Sequence, residues 1–474
     1  MEKLTADALP GLVPELAAVR LASDAAGLID QLRSLEELKA ACAAAQARVT
    51  VAFKRLRLAE HEADGLPRER RGKDVAAQVA LARRESPRIG SRLVGLADAL
   101  VHEMPHTMAA LAAGELNEWR ATLMVKETVC LGREHRRQVD SELADRLGEL
   151  SDRALSAEAR KIAYRLDPYS FLERARKAEA DRCVSLRPAP DCMTRLSALL
   201  PVAQGVAAFA ALTQAGDAAK ARGDERGRGQ LMADTLVERV TGQTAADEVE
   251  VEIQLVMSGE TLFGHTDDLV GDGDGAGEGD TVAQHDGRAP SGRAADEAAV
   301  VTGHGPIPAP LARRMLADLP DEARTWIRRL YTDPDTGRLV AMESAARLFP
   351  AGLRRFLIAR DQYCRTPWCG APVRHADHVV PHHGGGETSA ANGQGLCEAC
   401  NQVKAMSGWR AEPGPGGSGA SVTTSTPTGH DYESRPPDPP GVRPGRRWPR
   451  VDFYPPPPVG SPLEQQVRRL LAAA

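Results

Sequence analysis

The stretch HADHVVPHHGGGETSAANGQGLCEAC (375–400) contains four of the chain's twelve histidines and two of its eight cysteines. Imidazole, amide and carboxylate groups offer nitrogen and oxygen ligands, whereas cysteine offers sulfur. The stretch could therefore be a metal-storage patch, a structural zinc site or a catalytic site. The order of these residues, and the cysteines that precede them, separate the three possibilities.

Four of the cysteines form two close pairs. Cys364 and Cys369 make a C-x4-C pair, and Cys397 and Cys400 make a C-x2-C pair after 27 intervening residues. Two such pairs on tight turns can build a tetrahedral four-sulfur site for structural Zn²⁺, and such a site can hold together a domain with a small core. The alternative is a set of buried thiols that bind nothing, and it suits the other four cysteines, Cys42, Cys130, Cys183 and Cys192. Four sulfurs would complete the zinc shell and leave the histidines available for other chemistry.

Composition sets the broad class of the protein. A chain of 474 residues is too long for one typical core, and 42% hydrophobic with only 4% aromatic residues favours packed helices. No run of about eighteen apolar residues predicts a membrane span. The N-terminal sequence MEKLTADALPGLVPELAAVR does not look like a signal peptide. We therefore expect a cytoplasmic protein with reduced thiols, in which clustered cysteines are more often metal ligands than disulfides.

The pattern of apolar residues predicts a mainly helical N-terminal region. Helical spacing is found between about Leu32 and Gln243, and the alternating segment VEVEIQLVMS (249–258) predicts a small strand element. We expect an N-terminal segment (1–30), a helical domain (31–345) with a disordered Gly- and Asp-rich insertion at about 267–297, a compact domain (346–412) and a Pro/Gly-rich tail (413–474) that does not pack. The strongest helix predictions are 34–63, 73–86, 89–104, 106–132, 229–242, 309–331 and 350–363.

The compact domain resembles an HNH endonuclease, the ββα-metal fold. The resemblance rests on ADHVVP (376–381), the GGGET turn (384–388), AAN (390–392) and LCEACNQVK (396–404). The wider chain, with segments such as TDPDTGRL (332–339), is similar to the bacterial 13E12-repeat family, in which a helical domain of unknown function 222 precedes a C-terminal HNH module. The resemblance covers roughly residues 30–412 and implies a nuclease.

The resemblance also implies roles for individual residues. His378 matches the general base that deprotonates water, and Asn392 matches the residue that steadies the loop carrying this base. Asp377 and Asn401 match the ligands of one catalytic divalent ion, Mg²⁺ or Mn²⁺, for which amide and carboxylate oxygens are suitable. The expected substrate is DNA. Two basic side chains, Lys404 and Arg374, are candidates for contacts with its phosphates.

Two positions depart from the usual pattern of the family. Many relatives have histidine where this chain has Asn401, and asparagine is the variant of the HNN branch and a weaker metal ligand. Gly393 stands where leucine is common, and we expect this glycine to loosen the packing behind Asn392. His375, His382 and His383 are expected to be polar surface or groove residues.

Charge gives modest support for a nucleic-acid substrate. Residues 351–410 contain seven Lys/Arg and four Asp/Glu within a chain of net charge −5, and a zinc tetrathiolate would add negative charge. A basic face on the helical domain could compensate. The candidates are PRERRGK (67–73) and LARRESPRIGSR (81–92), although solvated helix flanks are the simpler interpretation.

Two other functions remain open at this level. A zinc-stabilised nucleic-acid-binding protein with a degenerate, non-cleaving site would share the same cysteines and basic residues. A protein-interaction scaffold would use the helical domain and the proline-rich tail and would have no affinity for nucleic acid. Neither oligomeric state nor sequence specificity can be derived from these patterns.

Overall fold

The computed structural model describes residues 6–242, 255–257, 298–302, 304–317, 331–332, 339–340, 348–414 and 421–439. The predicted insertion at 267–297 lies outside the described residues, as do most of the predicted strand 249–258, the second half of the predicted helix 309–331 and residues 440–474.

The N-terminal region is mainly helical, which confirms the predicted fold class. Its helices are α1 (Leu9–Ala17), α2 (Ala25–Ala63), α3 (Val75–Ala82), α4 (Pro87–His102), α5 (Pro105–Ala113), α6 (Glu118–Glu127), α7 (Arg133–Leu143), α8 (Asp152–Leu166), α9 (Pro168–Ala180), α10 (Val202–Ala221), α11 (Arg228–Thr241) and α12 (Ala309–Ala317). Short strands separate some of these helices: β1 (Cys183–Ala189), β2 (Met193–Leu199), β3 (Leu255–Val256), β4 (Ala299–Val301), β5 (Gly305–Ile307), β6 (Tyr331–Thr332) and β7 (Leu339–Val340).

The main core lies where α2 to α8 pack together. Helix α2 contributes a stripe of small residues, Ala40, Ala43, Ala44 and Ala47, and leucines and methionines from α4 to α8 fill the space that it leaves. Small side chains allow helix axes to approach closely, and this is why α4 and α5 can both lie against α2. The core is thus built from alanine and leucine rather than aromatic residues, as the composition predicts.

The predicted helical stretch 106–132 is divided into two helices by a glycine. Helix α5 ends at Gly114, which adopts a left-handed conformation with φ +83° and faces Glu37 of α2. A Cβ atom at this position would lie 2.7 Å from the Glu37 Cβ. Glycine therefore allows both the chain reversal and the contact between α5 and α2.

The β1–β2 hairpin is an element that the sequence pattern did not predict. Its strands pair antiparallel from Cys183↔Leu199 to Ala189↔Met193, and most of its side chains on both faces are exposed. Because no face is buried against the core, no clean alternation of polar and apolar residues marks the strands.

The C-terminal region forms a small zinc-type ββα unit followed by a sheet. Its elements are α13 (Ala351–Asp361), β8 (His375–His378), β9 (Gly393–Leu396), α14 (Glu398–Lys404), β10 (Arg410–Pro413), β11 (Val422–Ser425) and β12 (Asp431–Ser434). Strands β8 and β9 pair antiparallel, and α13 and α14 both pack on this hairpin.

The expectation that the chain does not pack after residue 412 is wrong for the described part of that segment. Strand β11 pairs antiparallel with β10 on one side and with β12 on the other. The hairpin between β11 and β12 turns at Gly429, which has φ +78°. A valine–threonine strand and a tight glycine turn are enough to form this meander despite the many prolines and glycines nearby.

The C-terminal region is docked on the helical region through α3. Trp409 is buried against Ala77 and Leu81, with Val403, Met406 and Tyr432 packed around them. Thr428, in the β11–β12 turn, donates a hydrogen bond of 2.8 Å to the side-chain oxygen of Gln78. The contact joins residues 350 positions apart in the chain and fixes α3 beside the ββα unit.

We predict that Gly114→Ala destabilises the helical region by about 1–3 kcal/mol, because a Cβ would be forced into the left-handed region and against Glu37. Urea unfolding followed by circular dichroism measures the effect. The matched control is Gly95→Ala in α4, where a Cβ meets no atom within 4 Å and helix propensity should raise stability by up to about 1 kcal/mol. Equal effects of the two substitutions would contradict this account of the α5–α6 break.

Candidate metal centre and active site

The four paired cysteines come together in one buried cluster. The sulfur atoms of Cys364, Cys369, Cys397 and Cys400 all lie within 4.8 Å of one another. Two of the separations, Cys369 to Cys397 and Cys369 to Cys400, are 3.7 Å. A tetrahedron with Zn–S bonds of about 2.3 Å has sulfur–sulfur edges of about 3.8 Å. The cluster therefore has the size and the donor set that zinc requires.

Local backbone structure places each pair of sulfurs. The first pair lies on a tight turn in which Trp368 and Gly370 both have positive φ and the Cys369 amide donates to the Thr366 carbonyl. In the second pair, Cys397 is the N-cap of α14, and its sulfur accepts from the Cys400 amide. The turn that contains Cys369 and the start of α14 thus direct all four sulfur atoms toward one another.

The protonation of the thiols is strongly coupled. Hydrogen bonds among them, above all the one with Cys364, lower the pKa of Cys397 and raise the pKa of Cys400. The pKa of Cys364 is lowered to about 7, chiefly by its hydrogen bond with Cys369. The pKa is thus lowered for Cys364 and Cys397 and raised for Cys369 and Cys400, whereas a zinc ion would stabilise four thiolates at once.

The other four cysteines do not join this cluster. Cys42 and Cys183 are exposed, and Cys130 and Cys192 are partly buried. Among the residues that the structure describes, they take part in no cluster that could hold a metal. The expectation that these are buried thiols is wrong for Cys42 and Cys183, which lie at the surface.

A buried ionic cluster lies next to the sulfurs and was not predicted. The Asp361 carboxylate accepts from Arg360 Nε at 2.7 Å and from Arg365 Nη1 at 3.0 Å, and it also accepts from the Gly395 amide at 2.7 Å. Arg360 donates further to the carbonyl oxygens of Ala390 and Gly393. All three charged side chains are almost fully buried. This cluster ties the end of α13 to β9 and to the loop before it.

Arg365 extends the ionic cluster in two directions. Its guanidinium donates to the Ser434 carbonyl at the end of β12, and its amide donates to the Gly395 carbonyl. Burial lowers the pKa of Arg365, and the neighbouring Asp361 and Cys364 act against this shift because they favour the charged form. The two arginines and the one aspartate together have a net charge of +1, which complements the negative charge of a zinc tetrathiolate.

Asn392 fixes the loop that follows β8. Its side-chain amide donates to the carbonyls of Val380 and Glu387, at 3.0 and 2.8 Å, and its side-chain oxygen accepts from the Val380 amide at 2.8 Å. Gly386 makes this possible, because a Cβ there would lie 2.7 Å from the Asn392 amide nitrogen. Asn392 thus holds both ends of the loop that connects His378 to β9.

The packing behind Asn392 is tight, so the expectation that Gly393 loosens it is wrong. A Cβ at Gly393 would lie 2.8 Å from a Leu357 methyl group and 2.9 Å from the Phe349 ring. Glycine is therefore the residue that lets β9 approach α13 closely.

His378 is held at the end of β8 on the face that points toward α13. Its Nε2 lies 2.8 Å from the Thr388 hydroxyl, and its ring lies 4.5 Å from the Phe349 ring, centroid to centroid. His382 approaches the His378 ring edge-on at 5.8 Å. The imidazole thus has a fixed orientation at the point where the strand ends and the Asn392-bound loop begins.

Asp377 points to the opposite face, toward α14, as alternation along a strand requires. Its carboxylate accepts from Lys404 Nζ at 2.5 Å and more weakly from Gln394 at 3.5 Å. The same ammonium group also donates to the main-chain oxygen of His378. Two oxygens from the end of β8 therefore converge on one positive charge that α14 supplies.

Asn401 precedes Lys404 by three residues, and these two positions are neighbours on one face of a helix. In the described part of the chain its half-buried side chain makes no hydrogen bond, so its amide oxygen is available to a ligand. Of the predicted site residues, the structure brings Asp377 and Lys404 into direct contact, with Asn392 and His378 at the ends of the loop beside them.

Arg374 and two further histidines of this stretch are surface residues. Arg374 is exposed, four residues before His378, and its main chain pairs with Leu396 near the sulfur cluster. His375 and His383 are also exposed, as predicted for surface residues.

Sequence reasoning missed Asp361 and its two arginines, together with Thr388 and Gln394. In the segment RDQYCR (360–365), charged residues flank the first cysteine of the cluster. Charged residues so close to this cysteine were the sequence feature from which the ionic cluster could have been predicted. Thr388 follows the GGGE turn, and only the folded loop brings it to His378.

Comparison with protein families agrees with the expected order of the domains. Residues 32–361 match the family described as "Domain of unknown function (DUF222)", and residues 362–405 match "HNH endonuclease". The chain belongs to the DUF222 family. A C-terminal HNH endonuclease domain follows its DUF222 region, as predicted. No curated protein and no solved structure matches the chain.

The HNH domain supports a nuclease function on a nucleic-acid substrate with divalent metal ions. The boundary between the two family matches falls after Asp361, although α13 packs on the HNH hairpin through Leu353, Phe356 and Leu357. Among the described residues of this DUF222 protein, no helix is long and apolar enough to cross a membrane.

We predict that Asp361→Asn destabilises the HNH region by about 3–5 kcal/mol, because two buried guanidinium groups lose their counter-charge while the side-chain shape is kept. Urea unfolding followed by tryptophan fluorescence measures the change. The control is Asp438→Asn, an exposed carboxylate, which should change stability by less than about 0.5 kcal/mol. A neutral effect of Asp361→Asn would mean that the ionic cluster does not hold the hairpin on α13.

Proposed function

We propose that this DUF222 protein, a member of its 13E12-repeat group, is a metal-dependent endonuclease that hydrolyses phosphodiester bonds in DNA. His378 is the general base, Asn392 orients its loop, and Asp377 and Asn401 bind one catalytic divalent ion, Mg²⁺ or Mn²⁺. The four cysteines bind a separate structural zinc. The observation that carries the proposal is the contact of Lys404 with both Asp377 and the His378 carbonyl, since it brings the α14 face that bears Asn401 to the end of β8.

The donor set at this point suits a hard cation. The Asp377 carboxylate and the His378 carbonyl already converge on the ammonium of Lys404, and Asn401 adds an amide oxygen one turn earlier on α14. All of these donors are oxygens, as Mg²⁺ and Mn²⁺ prefer, and no sulfur is among them. A divalent ion bound there would neutralise charge on the scissile phosphate and stabilise the leaving oxygen.

The opposite directions of Asp377 and His378 fit the geometry of phosphodiester hydrolysis. In an in-line displacement, the attacking water and the leaving oxygen lie on opposite sides of the phosphorus. A phosphate at the end of β8 would have the His378 imidazole on one side and the Asp377 carboxylate on the other. His378 takes the proton from the attacking water, and Thr388 and Phe349 keep its ring in place while it does so.

Lys404 has a second role in this proposal. Its ammonium can contact a phosphate only after it leaves the Asp377 carboxylate, so the ion pair sets the resting position of the side chain. Arg374, which is exposed and immediately precedes β8, is a further candidate for a phosphate contact.

The same ion pair favours one competing function. If Lys404 stays on Asp377 permanently, the oxygens are not available to a divalent ion, and the protein binds nucleic acid through a zinc-stabilised module without cleaving it. Binding without metal-dependent nicking would identify this case.

We predict that the full chain nicks supercoiled plasmid DNA in Mg²⁺ or Mn²⁺ and that His378→Ala lowers the rate by about 10²–10⁴-fold, the typical contribution of a general base. Agarose-gel nicking assays over time give the rates. The matched control is His375→Ala, an exposed histidine at the other end of β8, which should keep the wild-type rate. Equal nicking by the wild type and His378→Ala would exclude this histidine as the base.

A further inference from the structure

The segment Leu66–Arg92 of the helical region is strongly basic. It contains eight Lys/Arg and three Asp/Glu, whereas the whole chain has a net charge of −5. It spans the loop before α3, the helix itself, the α3–α4 turn and the start of α4. A local excess of positive charge in an acidic chain is what distinguishes a phosphate-binding surface from an ordinary solvated face.

Most of these cations have no partner within the protein. Two of the eight are ion-paired, Arg71 with Glu62 and Arg83 with Glu118. The other six are exposed and, within the described residues, form no salt bridge and no side-chain hydrogen bond. These six are Arg68, Arg70, Lys73, Arg84, Arg88 and Arg92. Exposed basic side chains elsewhere in the chain, such as Arg165 and Arg226, are often engaged with a carboxylate.

Buried polar groups hold this basic segment in place. The carboxylate of Asp74 accepts from Arg57 of α2 at 2.8 Å and from Gln78 of α3 at 2.7 Å. The His61 ring accepts from the Gly72 amide at 3.0 Å, which anchors the loop that carries Arg68, Arg70 and Lys73. The cations therefore project from a fixed backbone, which reduces the ordering cost of binding a ligand.

The basic segment lies beside the proposed active site. Helix α3 is the element on which the C-terminal region docks, through Leu81 against Trp409 and through the hydrogen bond from Thr428 to Gln78. The two regions line an apolar cavity to which the α3–α4 turn contributes Glu85, the start of α4 contributes Pro87, and the HNH region contributes Gln394 and Lys404. The turn therefore approaches the same α14 face that meets Asp377.

Arg84 lies in that turn in a conformation that arginine seldom adopts. Its φ is +56°, in the left-handed region where glycine or asparagine usually ends a helix. A non-glycine residue is strained in this conformation and is retained only when the surrounding structure favours it. The turn also exposes the positive end of the α4 dipole, next to Arg88.

The HNH region exposes four of the seven Lys/Arg in residues 351–410, namely Arg354, Arg355, Arg374 and Arg410. Of its basic residues, Arg360 and Arg365 are buried against Asp361, and Lys404 is paired with Asp377. Affinity for a nucleic-acid duplex depends mainly on the number of phosphates that basic side chains neutralise. The six unpaired cations of the basic segment would add phosphate contacts beyond those that these exposed arginines of the HNH region can make.

We infer that the basic segment Leu66–Arg92 is the duplex-binding surface of the protein, which holds the DNA phosphate backbone without base recognition and leads it to the end of β8. The DUF222 region would then hold the substrate. The inference rests on the proposed function only for the cleavage of DNA at the HNH site. Arg84, Arg88 and Arg92 bind the backbone nearest the active site, and Arg68, Arg70 and Lys73 extend the surface away from it.

The test compares two charge-matched triple variants of the full chain. Arg84→Gly, Arg88→Gln and Arg92→Gln remove three cations from the basic segment, and glycine also relieves the strained turn, so folding should not suffer. Arg153→Gln, Lys177→Gln and Arg222→Gln remove three exposed, unpaired cations outside it. Binding to a fluorescein-labelled duplex of about 30 base pairs, roughly three helical turns, is followed by anisotropy from low to high NaCl without added divalent ions.

We expect the first variant to bind at least about tenfold more weakly at 0.1 M NaCl. The slope of log K against log salt should also become less negative by about 2.7, because three phosphate contacts of about 0.9 each are lost. The second variant should keep the wild-type affinity and slope. Equal losses in both variants, no loss in the first, or no duplex binding by the wild type would each overturn the inference.

Plasmid nicking by the same proteins separates this inference from the proposed function. A wild type that binds through the basic segment but never nicks would leave the surface established and would refute the nuclease. A wild type that nicks while the first variant binds and nicks equally well would leave the nuclease standing and refute the surface.

Discussion

The C-terminal region depends on the convergence of four sulfur atoms. Cys364 and Cys369 lie in the turn that follows α13, and Cys397 and Cys400 stand at the start of α14, with 27 residues between the pairs. The hydrophobic core of this unit consists of little more than Leu353, Phe356, Leu357 and their neighbours. Such a core does not by itself fix a seven-residue helix such as α14. Once the sulfurs are gathered on one ion, α14 has a single position, and Asn401 and Lys404 face the end of β8.

The charges around the cluster follow from the same constraint. A zinc tetrathiolate at this buried position would carry negative charge, and the Arg360–Asp361–Arg365 cluster next to it carries a net positive charge. Its hydrogen bonds run to β9, to the loop before it and to the end of β12. Sulfur and guanidinium groups together therefore stabilise the hairpin that carries Asp377 and His378, and the oxygen atoms at its end contact Lys404 instead of the sulfur cluster.

Much of this arrangement could be predicted from local sequence. Cysteine spacing predicted the sulfur cluster, and helical periodicity predicted the α2–α6 region and α13. The position of Asn392 in the HNH pattern predicted that it steadies the loop after His378. In the structure, its side chain hydrogen-bonds to Val380 and Glu387 in that loop. The ionic cluster was not predictable in this way, because Asp361 meets Gly395 and Arg365 meets Ser434 only in the folded chain. Gly393 was misjudged for a similar reason, since the close approach of Leu357 and Phe349 is a tertiary contact.

The β10–β12 sheet shows a different limit. Average composition after residue 412 suggested a chain that does not pack, yet a short valine–threonine strand and one glycine turn pair within that stretch. Trp409 and Tyr432 then join it to α3, which brings the basic segment Leu66–Arg92 to the HNH region. Contacts that span hundreds of residues thus place a surface of the helical region beside a site that was predicted from a few short motifs.

The most direct test of this account is the zinc content of the full chain, measured by mass spectrometry of the metal after exhaustive dialysis. One zinc per chain is expected in the wild type, because four thiolates bind one tetrahedral ion. Cys397→Ser should lose that zinc and lower the stability of the C-terminal region, whereas Asp377→Ala combined with Asn401→Ala should retain it in full. Zinc that persists in Cys397→Ser, or that disappears when Asp377 and Asn401 are replaced, would contradict the separation of a sulfur-bound structural ion from an oxygen-bound catalytic one.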